Sequence, residues 1–173
     1  MIKVDEKDIK FVASLYEKSR ADSTIRAALH QLKSPTTEKR AWPLLVQYGV
    51  DFKKPSKEAY SLVASAIGES KAEKDGTESF GKVLYMAFKD VSAGGEARMM
   101  RILACDSIPE ICKVLRPLFG LFNSRCPGKL CLSELLSYLV RFNMDWARLE
   151  AKERWAYEFY SNVYKKDGEG EKE

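Results

Sequence analysis

Few side chains in this sequence could perform chemistry, and their spacing sorts them quickly. The one histidine, His30, has no Ser or Cys close in sequence and no carboxylate placed to orient its ring. That is the setting of a surface or packing residue, not of a general base. Four cysteines stand at 105, 112, 126 and 131. Zinc ligands come in repeated pairs two to four residues apart, which these positions do not supply. Thiols that pack as small hydrophobes suit the helical positions of Cys105 and Cys112 better. There is no glycine loop to cradle a phosphate and no helix with metal-spaced His or Glu pairs. Gly94-Gly95 precedes a helix, but Glu96 would repel an anion held there, so the pair reads as a hinge or turn. No catalytic residue, metal or cofactor is expected.

What remains is cationic. The 173 residues carry 29 Lys/Arg against 25 acids, a formal net charge of +4. That balance argues only weakly for a polyanionic partner, and the distribution says more. Residues 23–57 hold seven basic residues against two acids, and residues 97–141 hold seven against three. The segment between them, 58–96, has four against seven. Arg98 and Arg101 are three apart on one expected helix, and Lys113 and Arg116 three apart on the next, so each pair projects side by side. Arg125 sits at the tip of a turn-rich connection, and Arg141 near a helix C-terminus. Residues so placed suit the phosphodiester backbone, which is met by charge and spacing and not by base identity. The alternative is a solvated face with incidental ion pairs to Glu96 or Glu110.

The elements that must position these residues all read as helices. Asp5 caps a first helix to about Ser19, with Ile9, Val12, Leu15 and Tyr16 as its apolar stripe. Asp22-Ser23-Thr24 restarts a helix with Leu29 and Leu32 inward and Arg26 and His30 on the flank, broken at Ser34-Pro35-Thr36. A third helix carries Trp42, Leu45 and Val46 and ends at Gly49. Ser56 caps the helix of Tyr60 and Val63, after a turn bearing Lys53, Lys54 and Lys57. Glu69 to Glu78 is polar and aperiodic, a flexible loop and the best boundary between lobes. Phe80, Val83, Leu84 and Phe88 line the next helix, and Ser92-Ala93-Gly94-Gly95 ends it. Residues 97–122 form two helices meeting at a tight corner around Cys105-Asp106-Ser107. Pro109 fits the first turn of the second, and Pro117 should kink or end its regular part. Leu135 to Val140 and a long last helix with Trp146, Leu149, Trp155 and Phe159 complete the chain. The expected fold is all-α: eight or nine helices in two small packed lobes, residues 1–75 and 76–164, with a disordered charged tail at 165–173. No apolar run approaches the ~20 residues of a membrane span and no signal-peptide core is visible, so a soluble, cytoplasmic protein is expected.

Three segments carry a resemblance. AWPLLVQYGV (41–50) is similar to a family segment with a small residue and Pro before an aromatic-containing helix end. ESFGKVLYMAF (78–88) is similar to an "LGRALA" helix. The 97–122 hairpin, LLSYLVRF (135–142) and ERWAYEFY (153–160) together resemble a C-terminal half ending in "RWAREYY". In order and spacing, from about residue 9 to 164, the chain resembles the small-subunit (CasB) family of the type I-E CRISPR Cascade surveillance complex. The resemblance implies a non-enzymatic helical subunit of an antiviral complex. It would be present in two copies against the repeated subunits that hold the guide RNA, and would stabilise the R-loop of guide RNA and target DNA. Arg98 and Arg116 match basic family positions in the hairpin; Lys57, Arg26 and Lys82 match basic positions elsewhere. Arg101, Lys113, Arg125 and Arg141 rest on the charge pattern alone. One departure stands at Ala104-Cys105-Asp106, where relatives carry a charge before the Ala-Asp corner; Arg101, one turn back, would have to supply that contact.

Two other functions fit the helices and the charge. One is a helix-turn-helix DNA-binding regulator, for which the Pro109-Glu110-Ile111 helix start is poor because it offers no base-reading side chain. The other is a scaffold touching only protein, with Trp155 and the segment Tyr157 to Tyr160 as anchors.

Overall fold

A computed structural model describes residues 2–89 and 94–170, with side chains as far as Lys165. Asp5 accepts the Lys7 N–H at 3.0 Å and starts α1 (Glu6–Ala21). Asp22 ends α1 and caps α2 (Ser23–His30) by accepting the Thr24 N–H at 2.8 Å. Two 3₁₀ turns, Gln31–Lys33 and Glu38–Ala41, lead into α3 (Trp42–Gln47), which is closed by Gly49 at φ 80°. There follow α4 (Lys57–Glu69), α5 (Phe80–Phe88), α6 (Gly94–Leu103), α7 (Ile108–Arg125), α8 (Leu132–Leu139) and α9 (Asp145–Gly170). The protein is all-α, with nine α-helices and no strand among the described residues.

Several local expectations give way. Ser56 occupies the position before α4 but makes no side-chain capping bond, because its backbone is already helical. Gly94 and Gly95 belong to the first turn of α6 and are not a hinge. Gly95 is buried there because a side chain would meet the Phe159 ring at 2.9 Å. The rest of the expected turn, Ser92-Ala93, lies outside the described residues. α7 runs on through Pro117 to Arg125, so Pro117 does not end it. α9 continues to Gly170, into the stretch expected as a disordered tail; residues 171–173 lie outside the described residues.

The segment 69–78 is not a loose loop. The Asp75 carboxylate accepts from Leu132 N (2.7 Å), Ser133 N (3.1 Å) and Ser133 Oγ (2.7 Å), so it caps α8 from a distant part of the chain. Backbone bonds Gly76 N to Leu130 O, Glu78 N to Lys129 O and Cys131 N to Glu78 O hold the rest. A polar run without periodicity is ordered here because its carboxylate completes another helix.

The buried side chains form one contiguous cluster. Helix α1 packs on α8 and α4 on α7, both across the division placed at residues 75–76. Trp155 is 1% exposed and meets Phe80 and Tyr138 edge-on and Phe142 face to face. Its helix lies so close to α5 that a Cβ at Gly81 would overlap the Trp155 carbonyl oxygen. Arg154 next to it binds Glu134 (2.7 Å), Glu158 (2.8 Å) and the Tyr138 hydroxyl (3.0 Å), tying α9 to α8.

Ile9, expected in the apolar stripe of α1, is exposed, and so are Val46, Trp146 and Leu149 among the apolar residues named on their helices. On α1 the inward place next to Ile9 is taken by Asp8, 2% exposed, whose carboxylate accepts from Tyr60 Oη (3.1 Å) and Ser137 Oγ (2.8 Å). Periodicity ranks Ile9 above Asp8, but the partners come from α4 and α8, which no local window contains. Burial raises the Asp8 pKa, against the two hydrogen bonds that lower it.

Asp8→Ala strands two buried hydroxyls and is expected to cost about 2–3 kcal/mol in urea unfolding. A raised folded-state pKa favours the protonated carboxyl. Its stabilising contribution is therefore complete below the unfolded value of about 3.9 and is lost as pH rises through the folded value. Wild-type stability relative to Asp8→Asn should thus fall as pH rises above about 4; a difference that stays constant from there upward would refute the assignment. Gly81→Ala should cost about 2–4 kcal/mol by forcing α9 away from α5, read as a lowered melting temperature.

Candidate nucleic-acid interface

The nine cations singled out from the sequence fall into separate groups. Lys57, at the start of α4, and Arg116, in the middle of α7, line one groove of about 230 Å³ together with Glu38, Trp42, Leu45, Phe52, Glu58 and Ser61. They are brought together because α4 packs on α7. Arg116 donates through Nη1 to the Leu32 carbonyl (3.2 Å), which fixes its guanidinium at this edge.

Arg98 and Arg125 meet at Phe88. Their guanidinium carbons lie 4.5 and 5.1 Å from its ring centroid. Arg98 also donates to the Gly94 carbonyl (3.1 Å) and Arg125 to the Ala87 carbonyl (2.9 Å). Cation–π contact and a carbonyl acceptor restrain each head without neutralising it. The two residues are far apart in sequence, on α6 and at the end of α7, and α5 brings them together.

Arg101 and Lys113 are exposed and hold no carboxylate among the described residues. The acids of the corner between them are engaged elsewhere: Asp106 pairs with Lys152 (3.1 Å) and Arg148 (3.7 Å) of α9. Glu110 accepts from Asp106 N (2.9 Å) and Ser107 caps α7 by accepting Glu110 N–H (3.3 Å), a capping box displaced by one residue. The corner acids therefore build the corner and leave the cations of its flanks free.

The remaining three stand apart. Arg26 contacts the Ser70 carbonyl (3.4 Å) beside Arg20, which donates to Ser70, Ile67 and Ala72 carbonyls. Burial and then the Arg26 charge lower the Arg20 pKa. Lys82 is paired with Glu78 (2.8 Å), four residues back and just before the start of α5. Arg141 donates to Ser137 O (2.9 Å) and lies 3.6 Å from Asp5. Of the nine, only Lys82 and Arg141 have a carboxylate partner among the described residues.

Two aromatic contributors escaped the sequence reading. Trp42 and Phe52 are half-buried, edge to face at 5.4 Å in the Lys57–Arg116 groove, and the Lys39 ammonium lies 5.9 Å from the Trp42 ring. The signal was present: Trp42 follows Lys39-Arg40 and Phe52 precedes Lys53-Lys54, aromatics interleaved with basic residues. Phe88 carried no such signal, since its cations are distant in sequence.

Burial raises the thiol pKa of all four cysteines, and that of Cys112 to about 12. His30 is pushed down by burial and by Lys33 and Arg26. Among the described residues no helix is long and apolar enough to cross a membrane.

A model of the CRISPR-associated protein Cse2 family matches residues 25–160. No curated protein and no solved structure matches the chain. The matched span covers the Lys57–Arg116 groove, the Phe88 cluster and the Trp155 core. This chain belongs to the CRISPR-associated protein Cse2 family, the small-subunit (CasB) family of the type I-E Cascade complex.

Proposed function

We propose that this protein is a non-enzymatic, cytoplasmic subunit that steadies the R-loop of Cascade through sequence-independent contacts to nucleic-acid backbone. The observation that carries this reading is the state of its cations. Lys57, Arg98, Arg101, Lys113, Arg116 and Arg125 are free of carboxylates among the described residues, and three of them are braced by carbonyls. Cations held in place and left unneutralised suit phosphates, whose contacts set position without reading bases. Exchange of a DNA duplex for an RNA–DNA heteroduplex is nearly balanced, so a few such contacts can tip it. Arg26 adds to this set by position; Lys82 and Arg141 would have to release Glu78 and Asp5 first.

A regulator that reads duplex DNA with α7 is disfavoured, because its N-terminus is occupied by Glu110, Asn143 and the Asp106 pairs with α9. Contact with neighbouring Cascade subunits, including the guide-RNA backbone subunit and a second copy, has its own support. Trp146, Leu149, Glu153, Tyr157 and Tyr164 fall on one face of α9 and are exposed, Tyr157 by 76%. Trp155, weighed as an anchor from the sequence, is excluded from that role by its burial.

In the assembled complex, Arg98→Gln with Arg125→Gln should weaken target-DNA binding at 150 mM salt about tenfold or more. The same pair should flatten the slope of log affinity against log salt by about 1.4–1.8. Lys82→Gln, which removes a paired cation, should change both less. Unaltered affinity and slope in the double variant would sink the backbone-contact assignment. Trp146→Ser with Tyr157→Ser should lower incorporation into the purified complex while leaving the melting temperature of the free protein within about 2 °C, since neither side chain is in the core.

A further inference from the structure

We infer that the groove between α3, α4 and α7 seats one unpaired base of a bound strand, with Trp42 and Phe52 against the base and Lys57 and Arg116 on the flanking phosphates. This rests on the nucleic-acid reading above and specifies what one of its surfaces does.

The groove is built for a flat group joined to an anion. At about 230 Å³ it lies below the ~300–1,000 Å³ of pockets for drug-sized ligands, and it suits one planar ring system. Leu45, 2% exposed, forms its apolar floor. The rings of Trp42 and Phe52 meet edge to face at 84°, and both are half-buried, so part of each ring is open to the groove they line. Aromatic surface beside cations is the combination that single-strand binders use, because every base has a π-face and every linkage a charge. Lys57 is exposed at the entrance, and Arg116 is anchored through one Nη on Leu32, with the rest of its fork unbonded among the described residues.

The two acids of the groove settle the direction of entry. Glu38 and Glu58 are half-buried and hold no ion pair among the described residues. Carboxylates repel a phosphate and accept N–H groups, which the edges of bases carry and the sugar–phosphate backbone does not. The backbone therefore passes at Lys57 and Arg116, and the base points inward. Lys53 and Lys54 lie in the turn just before α4, and continue the basic edge along the strand.

The test uses the full chain and fluorescein-labelled ten-nucleotide strands: oligo-dT, oligo-rU and an abasic strand of equal length, followed by anisotropy at 50 mM salt. The base-bearing strands should bind about tenfold tighter than the abasic one. Trp42→Ala should erase that difference and leave abasic binding unchanged, whereas Lys57→Gln with Arg116→Gln should weaken both kinds. Because Trp42 also packs on the core, a second measurement avoids its removal. In Trp146→Phe the remaining tryptophans are Trp42 and the buried Trp155, so oligo-dT should quench fluorescence and the abasic strand should not. Either sugar supports the seat, and the tighter of the dT and rU arms identifies the strand. Equal binding of base-bearing and abasic strands with no quenching overturns the base seat and leaves backbone binding standing. Binding of no strand at all overturns the nucleic-acid reading and the seat together.

Discussion

The close approach of α9 to α5 is the constraint on which the rest of the molecule depends. Gly81 carries no side chain, so the Trp155 carbonyl can lie against its Cα, and the Trp155 ring reaches Phe80, Tyr138 and Phe142 in the same core. With α9 held there, Arg154 finds Glu134, Glu158 and Tyr138, while Lys152 and Arg148, about one and two turns before Trp155, meet Asp106 at the α6–α7 corner. One tightly packed line thus fixes the helix that holds the corner. It also determines which face of α9, from Trp146 to Tyr164, is left outside.

Charge on this protein divides into structural and available portions. Arg20, Arg148 and Arg154 are bound to carbonyls or carboxylates and hold elements together. Asp75 and Asp106, the acids that might have neutralised neighbouring cations, are engaged with α8 and α9. Surface pairs contribute little to stability, generally below about 1 kcal/mol, so the arrangement matters less for holding the fold than for leaving cations unpaired. Six residues along α4, α6 and α7 are left in that state, and Phe88, Gly94, Ala87 and Leu32 restrain three of them. A cation already restrained loses less freedom when it meets an anionic group.

Much of the architecture was legible locally. Asp5 and Asp22 signalled helix starts because a capping carboxylate acts within three residues, and Gly49 ended α3 because a left-handed φ suits glycine. Where sequence reading failed, the partner was distant. Ser56 looked like a cap but its backbone is helical. The 69–78 segment looked loose, yet Asp75 completes α8. Ile9 outranked Asp8 as a core residue until Tyr60 and Ser137 supplied the hydrogen bonds that a buried carboxylate requires. Trp146 and Leu149 are large and apolar, yet they lie on the opposite side of α9 from the buried line of Ala147, Ala151, Trp155 and Phe159.

By itself the sequence determined the helical class, the main helix boundaries and the order of segments that marks the family. These are properties of neighbours along the chain: period, caps, breaks and residue type. Only the tertiary structure decided which cations share a surface. Lys57 meets Arg116, and Arg98 meets Arg125, through contacts between α4 and α7 and around Phe88, whereas Lys82 and Arg141 are taken up by Glu78 and Asp5. A helical period places a side chain on a face of its own helix. Which faces come together depends on packing among residues remote in sequence, and it is packing that turned scattered basic residues into a groove with aromatic walls.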